Sequence, residues 1–207
     1  MRLHYGTLSS NSRRVRITAQ LLGIKLEEVA VDLRDSTQRG ELVKLNPNSK
    51  VPVFVDDDFV LWESIAIMQY LCDRTPDQTL YPAEPRARAE VNRWLSWAQA
   101  HWSPAIGAIS WENVWKKFVT GQAPDPEQVK RHETTFQQVA SVLDRHLASR
   151  TWIVGDSLSL ADIAAGTPLM MIRAARLPIR PFEHVLAWLG RLSELPAWQA
   201  TEPPPIG

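Results

Sequence analysis

The sequence has 207 residues, and its 23 lysine and arginine residues balance 23 aspartate and glutamate residues, so the formal net charge is zero. This length suffices for one large or two small domains with buried cores, and the balanced charge argues against nucleic acid as a partner. There is no apolar signal segment or run long enough to span a bilayer, so we expect a cytoplasmic protein without a membrane partner. The single cysteine, Cys72, excludes an internal disulfide framework, a Cys-x-x-Cys redox pair and a cysteine-based zinc site.

The first part of the chain alternates strand and helix patterns. A short buried strand is predicted from Leu3 to Gly6, and the cap-forming residues Ser9 to Ser12 lead into an apolar-periodic helix that stops at Gly23. A second strand is predicted from Leu26 to Leu33, and a short helix from Ser36 to Leu45. Followed by a strand hairpin and a third helix, this order is typical of a thioredoxin-like α/β domain.

The stretch from Asn46 to Ile67 predicts a loop, a strand, a turn, a second strand and a helix. Pro52 opens the first strand, where its missing N–H is tolerated, and this leaves the backbone of Val51 free for a ligand. An acidic triplet forms the hairpin turn. Glu63 and Ser64 then stand where the N-cap of the following helix belongs, and an exposed helix N-terminus is an anion site.

This stretch resembles the glutathione-binding half of a glutathione transferase, through Lys50-Val51-Pro52 and Glu63-Ser64-Ile65-Ala66-Ile67. The resemblance implies a cis proline, so that Val51 turns its N–H and C=O towards the cysteinyl backbone of glutathione, which pairs like an added strand. It also implies that Glu63 binds the γ-glutamyl ammonium. Ser64 and the N–H groups of the helix N-terminus would then bind the α-carboxylate.

The resemblance assigns the glycine carboxylate of glutathione to Lys50 and Gln38. Lys50 is fixed by its adjacency to the Val-Pro pair. Gln38 lies in a less definite stretch, where Thr37 or Arg39 is an alternative.

The cluster that begins at Ser9 is the expected place of the reaction. A thiol with a pKa of about 8.5 is mostly protonated at neutral pH, and lowering that pKa by about two units takes about 2.7 kcal/mol. One hydrogen bond to a charged acceptor supplies roughly 1.5–3 kcal/mol. By resemblance Ser9 holds the position of the activating serine of the serine-type classes, and Ser10 or Ser12 shares or replaces its role.

Asn11 leaves the class and the reaction open. The zeta class has a cysteine at this position, so the asparagine argues against zeta-type isomerase activity. The beta class has a catalytic cysteine at the same position, and the absence of that cysteine argues against the beta class. Some bacterial transferases of the nu type, known for reducing disulfides with glutathione, have a hydroxyl residue and an asparagine spaced like Ser9 and Asn11. Tyr5 is the remaining candidate for the thiol contact, although an ordinary strand tyrosine is the simpler interpretation.

Three arginines, Arg13, Arg14 and Arg16, place positive charge in the first turns of a helix, where the helix dipole disfavours it. We expect them to be solvated or paired with acids of the second domain, and a partial role towards an anionic ligand is the alternative.

The second half of the sequence is helical in pattern. Three prolines between Thr75 and Pro85 exclude a continuous helix, so we predict a domain at 1–76, a linker at 77–85 and an all-helical domain at 86–207. Five helices are expected there: Ala87 to Ala105, Ile106 to Gly121, Glu127 to Ala148, Ser159 to Arg176 and Phe182 to Glu194.

The helical half contains a structural motif and an aromatic set. Ser159 and Asp162 form a Ser-x-x-Asp capping box, to which we assign no catalytic role. Eight of the nine tryptophans lie here, and core packing is the simplest interpretation for most of them. By resemblance, His101, Trp111 and Trp115 are candidates for an electrophile pocket, and an aromatic lining suits a bulky apolar co-substrate.

Taken together, the resemblance implies a cytosolic glutathione transferase of a bacterial serine type with zeta-, theta- and nu-like features. It would be a homodimer that uses glutathione as a co-substrate and needs no cofactor or metal. The glutathione thiolate would attack an electrophilic, apolar co-substrate in detoxification. Two alternatives stay open: glutathione-dependent disulfide reduction, and a non-catalytic relative that binds glutathione or a protein partner.

Overall fold

The computed structural model describes residues 1–204. The chain forms two compact units, of which the first comprises residues 1–81 with 196–204 and the second residues 82–195. The first unit contains a sheet and helices, and the described residues of the second form helices and connecting turns. This confirms the predicted combination of a thioredoxin-like α/β domain with an all-helical domain. The segment 196–204 thus groups with the first unit, whereas the range predicted for the helical domain, 86–207, includes it; residues 205–207 lie outside the described residues.

The first unit is built on a four-stranded mixed sheet in the order β2-β1-β3-β4. Strand β1 pairs in parallel with β2 and antiparallel with β3, and β3 pairs antiparallel with β4. The register places Leu3 opposite Phe54, and both side chains are fully buried. The strands are β1 Arg2–Tyr5, β2 Glu27–Ala30, β3 Val53–Asp56 and β4 Phe59–Trp62.

Four helices complete this unit. Buried apolar residues of α1 and α3, among them Ile17 and Leu71, have no exposed surface and form the core between these helices and the sheet. The predicted stop after α1 is confirmed, because Gly23 adopts a φ of +68°, which glycine tolerates without strain. The helices are α1 Ser10–Leu21, α2 Ser36–Leu45, α3 Ser64–Asp73 and α10 Pro196–Gln199.

Strand β2 is shorter than the predicted Leu26 to Leu33, and local hydrogen bonds explain why. The N–H of Asp32 binds Oε1 of Gln38 at 2.9 Å instead of a neighbouring strand. Asp35 then caps α2 by accepting the N–H groups of Thr37 and Gln38. The chain therefore leaves the sheet to begin the next helix.

The expectation for the three arginines of α1 is wrong. Arg13 and Arg14 are buried, and Arg13 Nη2 donates to the carbonyl of Trp198 at 3.0 Å, with its guanidinium 4.4 Å from the centroid of that indole. Burial lowers the pKa of Arg13 to about 10, so the group stays charged at neutral pH. Arg16 forms an ion pair at 2.8 Å with Glu28, an acid of the same unit.

In the second unit the helices follow one another with few breaks. Residues 85–120 run as α4 Pro85–Trp97, α5 Ser103–Ser110 and α6 Lys116–Thr120, joined by π-helical turns at Ala98–Trp102 and Trp111–Trp115. The predicted break between Ala105 and Ile106 is therefore absent. Pro104, which cannot donate a helical hydrogen bond, is the second residue after the first π-helical turn, and this wider turn accommodates the lost bond. The remaining helices are α7 Pro126–Leu147, α8 Leu160–Gly166, a 3-10 turn at Thr167–Met171 and α9 Glu183–Ser193.

An aromatic chain runs through the core of this unit. Ring centroids are 5.1 Å apart between Trp94 and Trp97, 5.8 Å between Trp97 and Trp102, and 5.4 Å between Trp102 and Phe136. Trp102 is fully buried and donates its indole N–H to the carbonyl of Ala165 at 2.8 Å. These tryptophans therefore hold helices together, as the simpler interpretation predicts.

The predicted capping box is confirmed and is part of a larger network. The buried carboxylate of Asp162 accepts hydrogen bonds from the N–H and hydroxyl of Ser159, the N–H of Ile153 and the indole N–H of Trp188, at 2.8–3.0 Å. Burial raises the pKa of Asp162, and the four donors oppose that shift. One side chain thus joins the start of α8 to the preceding loop and to α9.

Replacing Asp162 with alanine should lower the free energy of unfolding by about 3 kcal/mol or more, because it leaves several buried donors without an acceptor. Urea unfolding at fixed protein concentration measures the change. The matched control is Asp156→Ala, at an exposed carboxylate six positions earlier, which should change stability by less than about 0.5 kcal/mol. Equal losses in both variants would contradict the role of the network.

Candidate functional site

The loop that enters β3 presents unpaired backbone. The Val51–Pro52 peptide bond is cis, as the resemblance implies. Within residues 1–204, neither the N–H nor the C=O of Val51 has a hydrogen-bond partner. Lys50, just before it, has an exposed side chain. A peptide-like ligand could pair with Val51 as an additional strand.

The side chain of Asn46 fixes the conformation of this loop. The sequence did not predict this role, because an asparagine before a proline indicates only the end of a helix. The Asn46 side chain is buried, donates to the carbonyl of Lys50 at 2.8 Å, and accepts the backbone N–H and side-chain amide of Asn48, each at 3.0 Å. These three bonds fix the conformation of the chain on its way to Val51. The repetition of asparagine at positions 46 and 48 was the available signal.

The start of α3 has the features of an anion site. Glu63 is its N-cap residue but makes no capping hydrogen bond with its side chain, and its φ of +72° is unusual for a residue other than glycine. Ser64 is 1% exposed, and its hydroxyl has no hydrogen-bond partner among the described residues. The helix N-terminus thus keeps a buried hydroxyl and uncapped N–H groups, which suits a carboxylate ligand.

Ser9 caps α1 in the expected way. Its Oγ accepts the N–H of Ser12 at 3.1 Å, and its carbonyl accepts the N–H of Arg13 at 2.9 Å. Because the Ser9 hydroxyl is used there only as an acceptor, its own hydrogen can be donated to a ligand. The N–H groups of Ser10 and Asn11 have no partner within the described part of the chain, and the side chain of Asn11 is exposed.

Gly6 connects these two segments. A Cβ atom added to Gly6 would lie 3.1 Å from Cγ2 of Val51 and 3.4 Å from Cβ of Ser9. The end of β1 therefore lies against both residues, and the structure brings Ser9 and Val51 together around a position that leaves little room for a side chain.

Tyr5 and Gln38 are engaged in local contacts. The guanidinium of Arg16 lies 4.7 Å from the centroid of the Tyr5 ring, between β1 and α1. Both ends of the Gln38 amide are used, because Oε1 accepts the N–H of Asp32 and Nε2 donates to Asp35 at 3.1 Å. Through these hydrogen bonds Gln38 stabilises the loop between β2 and α2, whereas Lys50 keeps an exposed side chain.

The three candidates of the helical unit lie in or beside π-helical turns. His101 belongs to the first turn and lines a cavity of about 230 Å³ between α5 and α7, together with His132 and Val139. Trp111 begins the second turn with 41% of its surface exposed, and Trp115 ends it, half-buried. Neither tryptophan lines that cavity.

Residues 1–204 contain neither a candidate metal cluster nor a candidate membrane-spanning helix. No group of three or more histidine, cysteine, aspartate or glutamate side chains there could hold a metal ion. None of the described helices combines the length and apolar character needed to cross a bilayer.

Comparison with known proteins identifies the family. Residues 1–73 match the family model for the glutathione S-transferase N-terminal domain, and residues 80–196 match that for the C-terminal domain. The chain is 31% identical over 202 residues to glutathione S-transferase F10 of Arabidopsis thaliana, covering 94% of this chain and 93% of that protein. The chain belongs to the glutathione S-transferase family. It is therefore an enzyme of glutathione conjugation, and the resemblance seen in the sequence is confirmed at the level of the family.

Solved glutathione S-transferases have the same fold as this chain. The apo structure of glutathione S-transferase III superposes with a TM-score of 0.85 at 29% identity, covering 100% of this chain and 98% of that one. A delta-class glutathione transferase of Nilaparvata lugens gives a TM-score of 0.85 at 28% identity, covering 97% and 92% of the two chains.

Because Asn46 holds the loop of this glutathione S-transferase with three hydrogen bonds, Asn46→Ala should lower the free energy of unfolding by about 2 kcal/mol. Thermal or urea unfolding measures the loss. The comparison variant Asn48→Ala removes one side-chain bond at an exposed residue and should cost about 0.5 kcal/mol or less. A loss for Asn48→Ala as large as that for Asn46→Ala would contradict the assignment of Asn46 as the organiser of the loop.

Proposed function

We propose that this glutathione S-transferase binds glutathione on its first unit and that Ser9 stabilises the thiolate. The observation that carries the proposal is the geometry of Ser9, whose Oγ accepts the Ser12 N–H and whose hydroxyl hydrogen stays available. A donor at a helix N-terminus favours the thiolate over the thiol, both by its hydrogen bond and by the positive end of the helix dipole. The unpartnered N–H groups of Ser10 and Asn11 add donors beside it.

We assign the rest of the glutathione molecule to unpaired groups of the first unit. The backbone N–H and C=O of Val51, next to the cis Pro52, pair with the cysteinyl unit. The Ser64 hydroxyl and the N–H groups at the start of α3 take the γ-glutamyl α-carboxylate, and Glu63 takes the ammonium. Lys50 takes the glycine carboxylate, with Gln38 as the second candidate because both ends of its amide are engaged locally.

The reaction is attack of the thiolate on an electrophilic carbon of an apolar co-substrate. The exposed indole of Trp111 and the half-buried Trp115 supply aromatic surface for such a molecule, with His101 as the third candidate. The catalytic contribution is electrostatic, because preformed donors face the sulfur before the reaction begins. We place the protein among the serine-type transferases, as a cytoplasmic homodimer that requires no cofactor.

A second candidate function is glutathione-dependent disulfide reduction. Asn11 supports it, because its exposed amide lies in the first turn of α1, two positions after Ser9. In that reaction the thiolate attacks one sulfur of a mixed disulfide, a disulfide bond to glutathione forms, and the other sulfur leaves as a thiol after taking a proton.

Replacing Ser9 with alanine should lower kcat/KM for conjugation roughly tenfold at neutral pH, and should raise the apparent pKa of its pH profile by up to about two units. The loss is smaller than the change in thiolate fraction, since a thiolate of higher pKa is more nucleophilic. Ser9→Thr, which keeps the hydroxyl, is the control. An unchanged pH profile in Ser9→Ala would contradict the mechanism, and a native activity confined to mixed disulfides would favour the second candidate.

Ser64→Ala should weaken glutathione binding roughly 10- to 100-fold while changing the stability of the free protein by less than about 0.5 kcal/mol. The reason is that the Ser64 hydroxyl has no partner to lose until the ligand carboxylate arrives. Calorimetric titration and thermal unfolding measure the two effects. The control Ser110→Ala removes a buried hydroxyl that donates to the carbonyl of Ile106, so the opposite pattern is expected there: lower stability and unchanged binding. A Ser64 variant that binds glutathione normally would overturn the assignment.

A further inference from the structure

Three hydrogen bonds close the turn between β1 and α1: the N–H of Ser9 donates to the carbonyl of Gly6 at 3.1 Å, and Ser12 makes the other two. The N–H of Ser12 donates to Oγ of Ser9 at 3.1 Å, and Oγ of Ser12 accepts the N–H of Gly6 at 3.1 Å. Ser12 thus bonds to both ends of the segment that carries the proposed activating hydroxyl. We call the three residues Gly6, Ser9 and Ser12 the serine clasp.

The clasp lies against Val51 through Gly6. The backbone of Gly6 lies between Val51 and Ser9, so tightly that an added Cβ would lie 3.1 Å from Val51 and 3.4 Å from Ser9. The Gly6 N–H donates to Oγ of Ser12, so loss of this hydrogen bond would let the Gly6 backbone move. That backbone is the one in contact with Ser9 and Val51. Ser12 therefore holds the residue that lies against both the side chain of Val51 and Cβ of Ser9.

The complete burial of Ser12 limits its side chain to contacts within the protein. Its relative exposure is 0%, so its hydroxyl cannot reach a bound thiol, whereas Ser9 is half-buried. The backbone N–H of Ser12 polarises the Ser9 hydroxyl, and any residue at this position would donate it. The Ser12 side chain therefore acts through its bond to the Gly6 N–H alone.

We propose that Ser12 is a positioning residue of this transferase, which sets how far the pKa of bound glutathione is lowered by orienting the Ser9 hydroxyl against Val51. The proposal rests on the proposed function, in which Ser9 stabilises the thiolate. In a positioning role, removal of the Ser12 hydroxyl changes the thiol pKa of bound glutathione only while the Ser9 hydroxyl is present. A purely structural role does not depend on Ser9 in this way.

A double-mutant cycle tests this difference. The ultraviolet absorbance of the bound glutathione thiolate is titrated over pH in the native chain, Ser12→Ala, Ser9→Ala and the double variant. Ser12→Ala should raise the thiol pKa by about one unit. At pH values below the thiol pKa of both the native chain and the variant, the thiolate fraction then becomes roughly tenfold smaller. The same substitution should leave the pKa unchanged in the Ser9→Ala background, and the dissociation constant of glutathione should change less than about twofold.

Two further variants keep the test decisive. Thr18→Val is the matched control, because the Thr18 hydroxyl is equally buried in α1 and donates to the carbonyl of Arg14 at 2.8 Å, with no contact to the clasp; its thiol pKa should be native. Gly6→Ala disturbs the clasp from its other side and should also raise the thiol pKa, which keeps the proposal testable if Ser12→Ala does not fold. Thermal unfolding monitors all variants.

The outcomes separate the proposal from the function on which it rests. A native chain with no lowering of the thiol pKa, or a lowering that survives in Ser9→Ala, contradicts the proposed function and removes the basis of the clasp. A lowering that is lost in Ser9→Ala but intact in Ser12→Ala overturns the positioning role alone. Equal effects of Ser12→Ala in both Ser9 backgrounds also overturn it, because the residue would then act independently of Ser9.

Discussion

The structure of the candidate site depends on the close approach at Gly6, where the end of β1 touches both the helix-capping turn and the loop before β3. With the register of β1 against β3 fixed by buried residues such as Leu3 and Phe54, this contact determines where Ser9 and Val51 stand relative to each other. A side chain at Gly6 would force one of them to move. The sheet therefore provides more than a core, because its geometry places a hydroxyl donor beside an unpaired stretch of backbone.

The polar groups of the site are left unpaired by the fold and are ready for a ligand. The Val51 backbone, the Ser64 hydroxyl and the first N–H groups of α1 and α3 have no partners among the described residues. A buried hydroxyl without a partner and a strained Glu63 both cost stability, which the rest of the unit offsets. Because these groups are already oriented, binding requires little reordering, and electrostatic stabilisation of a thiolate needs donors that are fixed in advance.

The sequence predicted the local structure at the candidate site: Ser9 before a helix, the Val51-Pro52 pair at the start of a strand, and Glu63-Ser64 before another helix. Their roles towards glutathione come from the resemblance and stay predictions. The sequence could not assign Asn46 or the structural contacts of Ser12, because their partners are backbone groups of loops and loop conformations leave no periodic pattern. The burial of Arg13 was missed for a different reason, since its partner Trp198 lies 185 positions away. In the helical unit, two π-helical turns interrupt the 3.6-residue spacing, so the sequence could not determine which way His101, Trp111 and Trp115 face.

We propose that the unpaired groups of the first unit form the glutathione-binding site. A crystal structure of the chain with glutathione bound tests it most directly. We expect the cysteinyl backbone to pair with Val51, the γ-glutamyl α-carboxylate to lie within hydrogen-bond distance of the Ser64 hydroxyl, and the sulfur to face Ser9. Glutathione bound elsewhere, or bound with the Ser64 hydroxyl still unpartnered and the sulfur turned away from Ser9, would contradict it.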